Sequence, residues 1–119
     1  MNTPITAPAS TTAARARRRA AHARCLAAAA VLAPGRTVSV EVDAVPLWTG
    51  DPRIEGSTLR YVATAWRGAS PRATAIASAE GAPLAWGDGT QSTVAEGLAR
   101  AVEALADEME RRVAAKVSP

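Results

Sequence analysis

An amphipathic pattern runs through residues 93–117 and dictates what the rest of the chain must do. Val94, Leu98, Ala101, Leu105 and Met109 recur at helical spacing, and Val102, Val113 and Val117 widen the stripe. Thr93 followed three residues later by Glu96 has the form of a capping box and marks the start. Glu96–Arg100, Asp107–Arg111 and Glu108–Arg112 place acid before base at i,i+4 on the wet side. A helix with one apolar stripe is stable only when that stripe is covered. The upstream residues must supply the cover.

They have modest means to do so. The chain has 119 residues, room for one small domain and a tail. Its 48% hydrophobic content is inflated by Ala; there is no Phe, one Tyr and three Trp. A core must therefore come from Val, Leu, Ile and Ala with a few large rings. The single Cys excludes an internal disulfide and a Cys-based metal cluster, and it fits a reducing, cytoplasmic setting.

Residues 1–12 are Pro, Ser, Thr and Ala around a few apolar groups, the composition of a flexible arm. Residues 13–33 are nearly all Ala, Arg and Leu, strong helix formers, stopped by Pro34-Gly35. Ala14, Ala21, Cys25, Ala28 and Leu32 fall on one stripe of that helix, and Arg15, Arg18, Arg19 and His22 on another. Small apolar groups contribute little burial, so this helix is expected at the periphery. The Arg-rich run before CLAAAAVLA also has the order of a secretion signal, but its apolar part spans only residues 25–33. No run approaches the ~20 apolar residues of a membrane span.

Residues 37–45, TVSVEVDAV, alternate as a half-buried strand with Val38, Val40 and Val42 on one face, and Pro46 ends it. A second strand covers 57–67, with apolar groups on both faces, and a third 72–80, with Ala73, Ala75, Ala77 and Ala79 on one side. Residues 46–56 and 81–92 read as loops. The link between the second and third strands is too short for a parallel crossover. The predicted fold is α+β: a two-layer sandwich in the order α-β-β-β-α, a three-stranded antiparallel sheet covered by the C-terminal helix. Val38, Val40 and Val42 are expected to meet Val94, Leu98 and Leu105.

The chemistry-bearing residues are few. His22 and Cys25 are three apart on a helix, the spacing of a thiol–imidazole pair, but no sequence feature supplies an oxyanion hole. Asp43, Asp51 and Glu55 lack a His or a metal-ligand spacing. Gly87-Asp88-Gly89 has no strand directly before it and no Lys after it, so it reads as turn chemistry. One His and no catalytic motif point away from an enzyme, a metal or a cofactor.

Charge distribution is the stronger signal. Residues 1–40 carry Arg15, Arg17, Arg18, Arg19, Arg24 and Arg36 and no acid, a charge of +6. The remaining 8 bases and 11 acids give −3, for a net +3. Arg15, Arg17, Arg18, Arg19, His22 and Arg24 are thus candidates for phosphate contacts with salt-sensitive, sequence-tolerant binding. Trp48, Trp66 and Trp86 are candidate protein-interface anchors, and Trp66 alone is expected to close one end of the core. An unpaired sheet edge would offer a route to self-association.

The element order over residues 13–117 resembles that of the double-stranded-RNA-binding fold. That family places a basic cluster at the start of its second helix; here the position reads Thr93-Val94-Ala95-Glu96-Gly97-Leu98, and the first inter-strand loop has Gly50-Asp51-Pro52 without a His. The resemblance implies a topology and carries no RNA contact onto a residue of this chain. Residues 59–110, with Trp86-Gly87-Asp88-Gly89-Thr90 leading into the last helix, are also similar to HicB-type antitoxins and related phage and plasmid proteins. That resemblance implies a binding protein. Two functions are thereby expected: a non-catalytic phage or mobile-element protein whose basic helix engages nucleic acid or a nucleoprotein complex, or a protein-binding inhibitor of the anti-CRISPR kind acting through exposed Trp and a sheet edge.

Overall fold

The computed structural model describes residues 6–47, 58–69, 71–81 and 91–117. Five elements follow one another: α1 (Thr6–Leu32), β1 (Val38–Leu47), β2 (Thr58–Arg67), β3 (Thr74–Glu80) and α2 (Gln91–Val117). The sheet is antiparallel in the order β1-β2-β3, and the fold is α+β with both helices on one face.

α1 begins at Thr6, so the helix takes in part of the segment expected as an arm. Pro8 lies in its first turn, where a backbone N–H would have no intrahelical acceptor. Pro34-Gly35 stops the helix: Gly35 adopts φ +75°, and the Arg36 amide donates to the Ala33 carbonyl at 3.2 Å. β1 runs through Pro46 to Leu47. It is an edge strand, and a residue without an N–H is tolerated there.

α1 and α2 lie side by side and run parallel. Arg17 reaches Glu103 and Arg24 reaches Glu110, both 86 residues apart, and Lys116 reaches the Val31 carbonyl 85 residues back. Ala14, Ala21 and Ala28 of α1 are buried at seven-residue intervals, as are Ala95, Val102 and Met109 of α2, and the small alanines of α1 let the axes approach. α1 is therefore a full partner of α2 rather than a peripheral helix. Lys116 also places a cation on a carbonyl of α1's last turn, where the helix dipole is negative.

The core is apolar throughout, with no buried polar or charged residue among those described. Tyr61, Ala63 and Ala65 of β2 and Ala77 of β3 face Ala101, Val102, Leu105, Ala106 and Met109. Val94 and Val117, read as parts of the apolar stripe, are 38% and 68% exposed. α2 settles over β2 and β3, so Val40 and Val42 of β1 remain only partly covered. Two glycines permit this close seating. A Cβ on Gly81 would lie 2.7 Å from the Ala101 nitrogen, and one on Gly97 would lie 2.6 Å from Cδ2 of the Tyr61 ring.

β3 departs from simple alternation. Ala65 pairs with Ala77 but Trp66 pairs with Ala75, leaving Ile76 as an extra residue at a bulge. Ile76 turns toward the core beside Ala77, and Ala75 is exposed. The expected face of four alanines is broken at that point. Arg112 Nη1 donates to the Ile76 carbonyl at 2.9 Å, tying α2 to the bulge.

Candidate nucleic-acid interface

The six basic residues of α1 fall into two sets because helical spacing distributes them around the axis. Arg17 and Arg24, seven apart, face α2. Arg17 donates to Glu103 through Nε (3.1 Å) and Nη2 (2.7 Å) and to Glu96 through Nη1 (2.7 Å). Arg24 donates to Glu110 through Nε (2.9 Å) and Nη2 (2.6 Å) and to Asp107 through Nη2 (2.6 Å). Hydrogen bonds to Glu103 and then Glu96 push the Arg17 pKa further up, and those to Glu110 and then Asp107 do the same for Arg24. Reciprocally, Arg17 holds the Glu96 carboxyl below the usual range and Arg24 does so for Glu110. Both guanidiniums were candidates for phosphate contacts. The structure gives their charge to internal carboxylates instead, which removes them from the free basic surface.

Arg15, Arg18, Arg19 and His22 form the second set. They are exposed and line one side of an open cleft of about 440 Å³; Val40 and Val42 of β1 and Val102 of α2 complete its lining. The cleft exists because α2 covers β2 and β3, while α1 stands beside α2 and scarcely touches β1. The valines were legible as an inward strand face, but their role as a cleft floor was not, because it depends on which strands α2 selects. No carboxylate pairs with Arg15, Arg18 or Arg19 among the described residues, whereas Arg17 and Arg24 each hold two and Arg60, Arg100, Arg111 and Arg112 each hold one. Asp107 was expected to pair with Arg111; it serves Arg24, and Arg111 takes Glu108 (2.6 Å).

His22 and Cys25 do different things. His22 faces the cleft, whereas Cys25 is wholly buried in the helix seam with Sγ 3.8 Å from the Val102 carbonyl. Burial pushes the thiol up to about 11, which opposes thiolate formation at neutral pH.

Trp66 lies on the sheet face away from the helices, since Ala65 beside it is fully buried on the other side. The expectation that it closes the core is corrected: period-two alternation in β2 gives the inner face to Tyr61, Ala63 and Ala65. With Ser39, Glu41, Gly68, Pro71 and Ala73 it lines a shallow recess of about 290 Å³. Trp48 and Trp86, with Asp51, Glu55 and Gly87-Asp88-Gly89, lie outside the described residues; Asp43 is exposed on β1. Among the described residues no group of three His, Cys, Asp or Glu is placed to share a metal ion, and no helix is long and apolar enough to cross a membrane. No known protein family, curated protein or solved structure matches the chain.

Proposed function

We propose that this is a small non-catalytic binding protein that engages nucleic acid through Arg15, Arg18, Arg19 and His22. The observation that carries the reading is the contrast on one helix. Arg17 and Arg24 are neutralised by carboxylates of α2, while three neighbouring guanidiniums share one cleft with no acid among the described residues to balance them. A phosphate backbone supplies the missing charge, and counterion release drives the association. The reading fits a phage or mobile-element protein acting on nucleic acid or a nucleoprotein complex.

The test is binding of labelled single- and double-stranded oligonucleotides as salt is raised. Neutralising three phosphates gives a log–log slope of roughly −2 to −3, so affinity falls about 20- to 50-fold between 50 and 200 mM salt. Replacing Arg15, Arg18 and Arg19 together by Ala abolishes this dependence. Undetectable binding to every probe at 50 mM salt rules the reading out.

Trp66 favours a second reading, a protein-binding inhibitor or adaptor of the anti-defence kind. Its half-exposed ring sits in a recess on the open sheet face. Nuclease-resistant capture of one stoichiometric protein, lost on Trp66→Ala, would select this reading over the first.

A further inference from the structure

Resting on the nucleic-acid reading, we infer that the cleft between α1 and β1 is a single-strand site, which admits one strand with its bases unpaired and disfavours duplex. Arg15, Arg18, Arg19 and His22 stand at i, i+3, i+4 and i+7. They make one helix face about 10.5 Å long at 1.5 Å per residue. That length lets the face meet a short run of consecutive phosphates on one strand.

The cationic groups do not stand on a bulging surface. They line a recess together with Val40 and Val42 of β1, and Val102 of α2, itself wholly buried, completes the apolar lining. The volume of about 440 Å³ is that of a small-ligand site rather than of a groove that could cradle a double helix. A duplex keeps its bases stacked inside, so it can satisfy the arginines and offers nothing to the valines. A single strand offers both a phosphate for the wall and an unstacked base for the floor. Val40 and Val42 are half-buried, so part of their surface remains to be taken from water by a base.

The same lining sets the selectivity. Among the described residues no Phe, Tyr or Trp lines the cleft, so the large stacking platforms common in single-strand binders are missing from it and the His22 imidazole is the ring it offers a base. Among the described residues the floor has no polar side chain to read a base edge. The site therefore discriminates by strandedness and hardly at all by sequence. Covering what remains exposed of two half-buried valines is a small apolar gain, so the preference for single strand is modest, about fivefold.

The experiment is fluorescence anisotropy on the full chain at 50 mM salt, with one labelled 12-mer as single strand, in DNA and RNA form, and as the corresponding duplexes. It is paired with methyl NMR of the valines. A preference of about fivefold for single strand is expected, together with shifts of the Val40 and Val42 methyls on adding single strand but not duplex. Val40→Thr, which replaces a methyl group of the floor by a hydroxyl at nearly equal size, lowers single-strand affinity toward the duplex level and leaves duplex affinity unchanged. The methyl shifts test the idea in the unaltered chain if that variant does not fold. Duplex binding as tight as or tighter than single strand, or unmoved valine methyls with bound single strand, overturns the inference while the nucleic-acid reading stands. Failure of every probe to bind removes both.

Discussion

Arg17 and Glu103 meet side to side through two hydrogen bonds, Nε to Oε2 at 3.1 Å and Nη2 to Oε1 at 2.7 Å, across 86 residues of chain. The fork also takes in Glu96, so one guanidinium clamps two turns of α2. Because the Arg17 side chain is 42% exposed, the clamp is worth what surface networks are worth. Arg17→Ala is expected to destabilise the fold by about 0.5–1 kcal/mol. A double-mutant cycle with Glu103→Gln measured by urea denaturation should recover most of that as coupling. The same variant should leave oligonucleotide affinity within about twofold of the parent, less than the tenfold that 1.4 kcal/mol represents. Arg18→Ala should do the reverse.

Acid should loosen the helix pair. Glu96, Glu108 and Glu110 titrate below the usual carboxylate range because of their hydrogen bonds, first to Arg17, Arg112 and Arg24 respectively. Below the ordinary value of about 4.3 the unfolded chain therefore holds more protons than the folded one. Stability from these groups is complete above that pH and is lost as pH falls through the lower folded values. Denaturation midpoints measured from pH 7 to pH 2.5 should fall along this limb, and Glu96→Gln should flatten it. An unchanged limb would mean that the Arg17 pairing does not form in solution.

Gly97 sits in the middle of α2, where Ala would ordinarily be better by about 1 kcal/mol. Here a Cβ would lie 2.6–2.8 Å from Tyr61 ring atoms. Gly97→Ala is therefore expected to destabilise by about 1–3 kcal/mol through overpacking. Tyr61→Leu in the same chain should reduce that penalty, which thermal melts of the two single variants and the double would show.

Cys25 should be inert in the folded protein. With its pKa pushed up to about 11 and its side chain fully buried, it presents roughly 0.1% thiolate at pH 8, against about a quarter for a free thiol. Labelling by a thiol reagent at pH 8 should be at least 100-fold slower than for the urea-unfolded chain, which should titrate one thiol. Rapid labelling of the native protein would contradict the buried seam.

The elements with a regular period were readable from residues alone. Val38, Val40 and Val42 alternate cleanly, and the apolar stripe of α2 marks its helix, because each pattern is local. Partner choice was not readable. That Arg17 and Arg24 belong to α2 follows from the match between their seven-residue spacing and that of Glu96, Glu103 and Glu110. The match has meaning only once the two helices are known to run parallel. Ile76 shows a second limit: the bulge shifts β3 by one residue and exchanges its faces, and nothing in Thr-Ala-Ile-Ala-Ser announces it. Gly97 carried the one overlooked clue, since a glycine inside a strong helical pattern implies a close neighbour.

The long separation between the two helices bears on how the molecule is made. A nascent chain releases its arginine helix early, yet the carboxylates that quiet Arg17 and Arg24 leave the ribosome some 86 residues later. Until then all the guanidiniums of that helix are uncompensated, so the half-made protein is stickier toward polyanions, including the ribosome's own RNA, than the finished one. Folding would then include a hand-over, in which α2 displaces whatever first held α1.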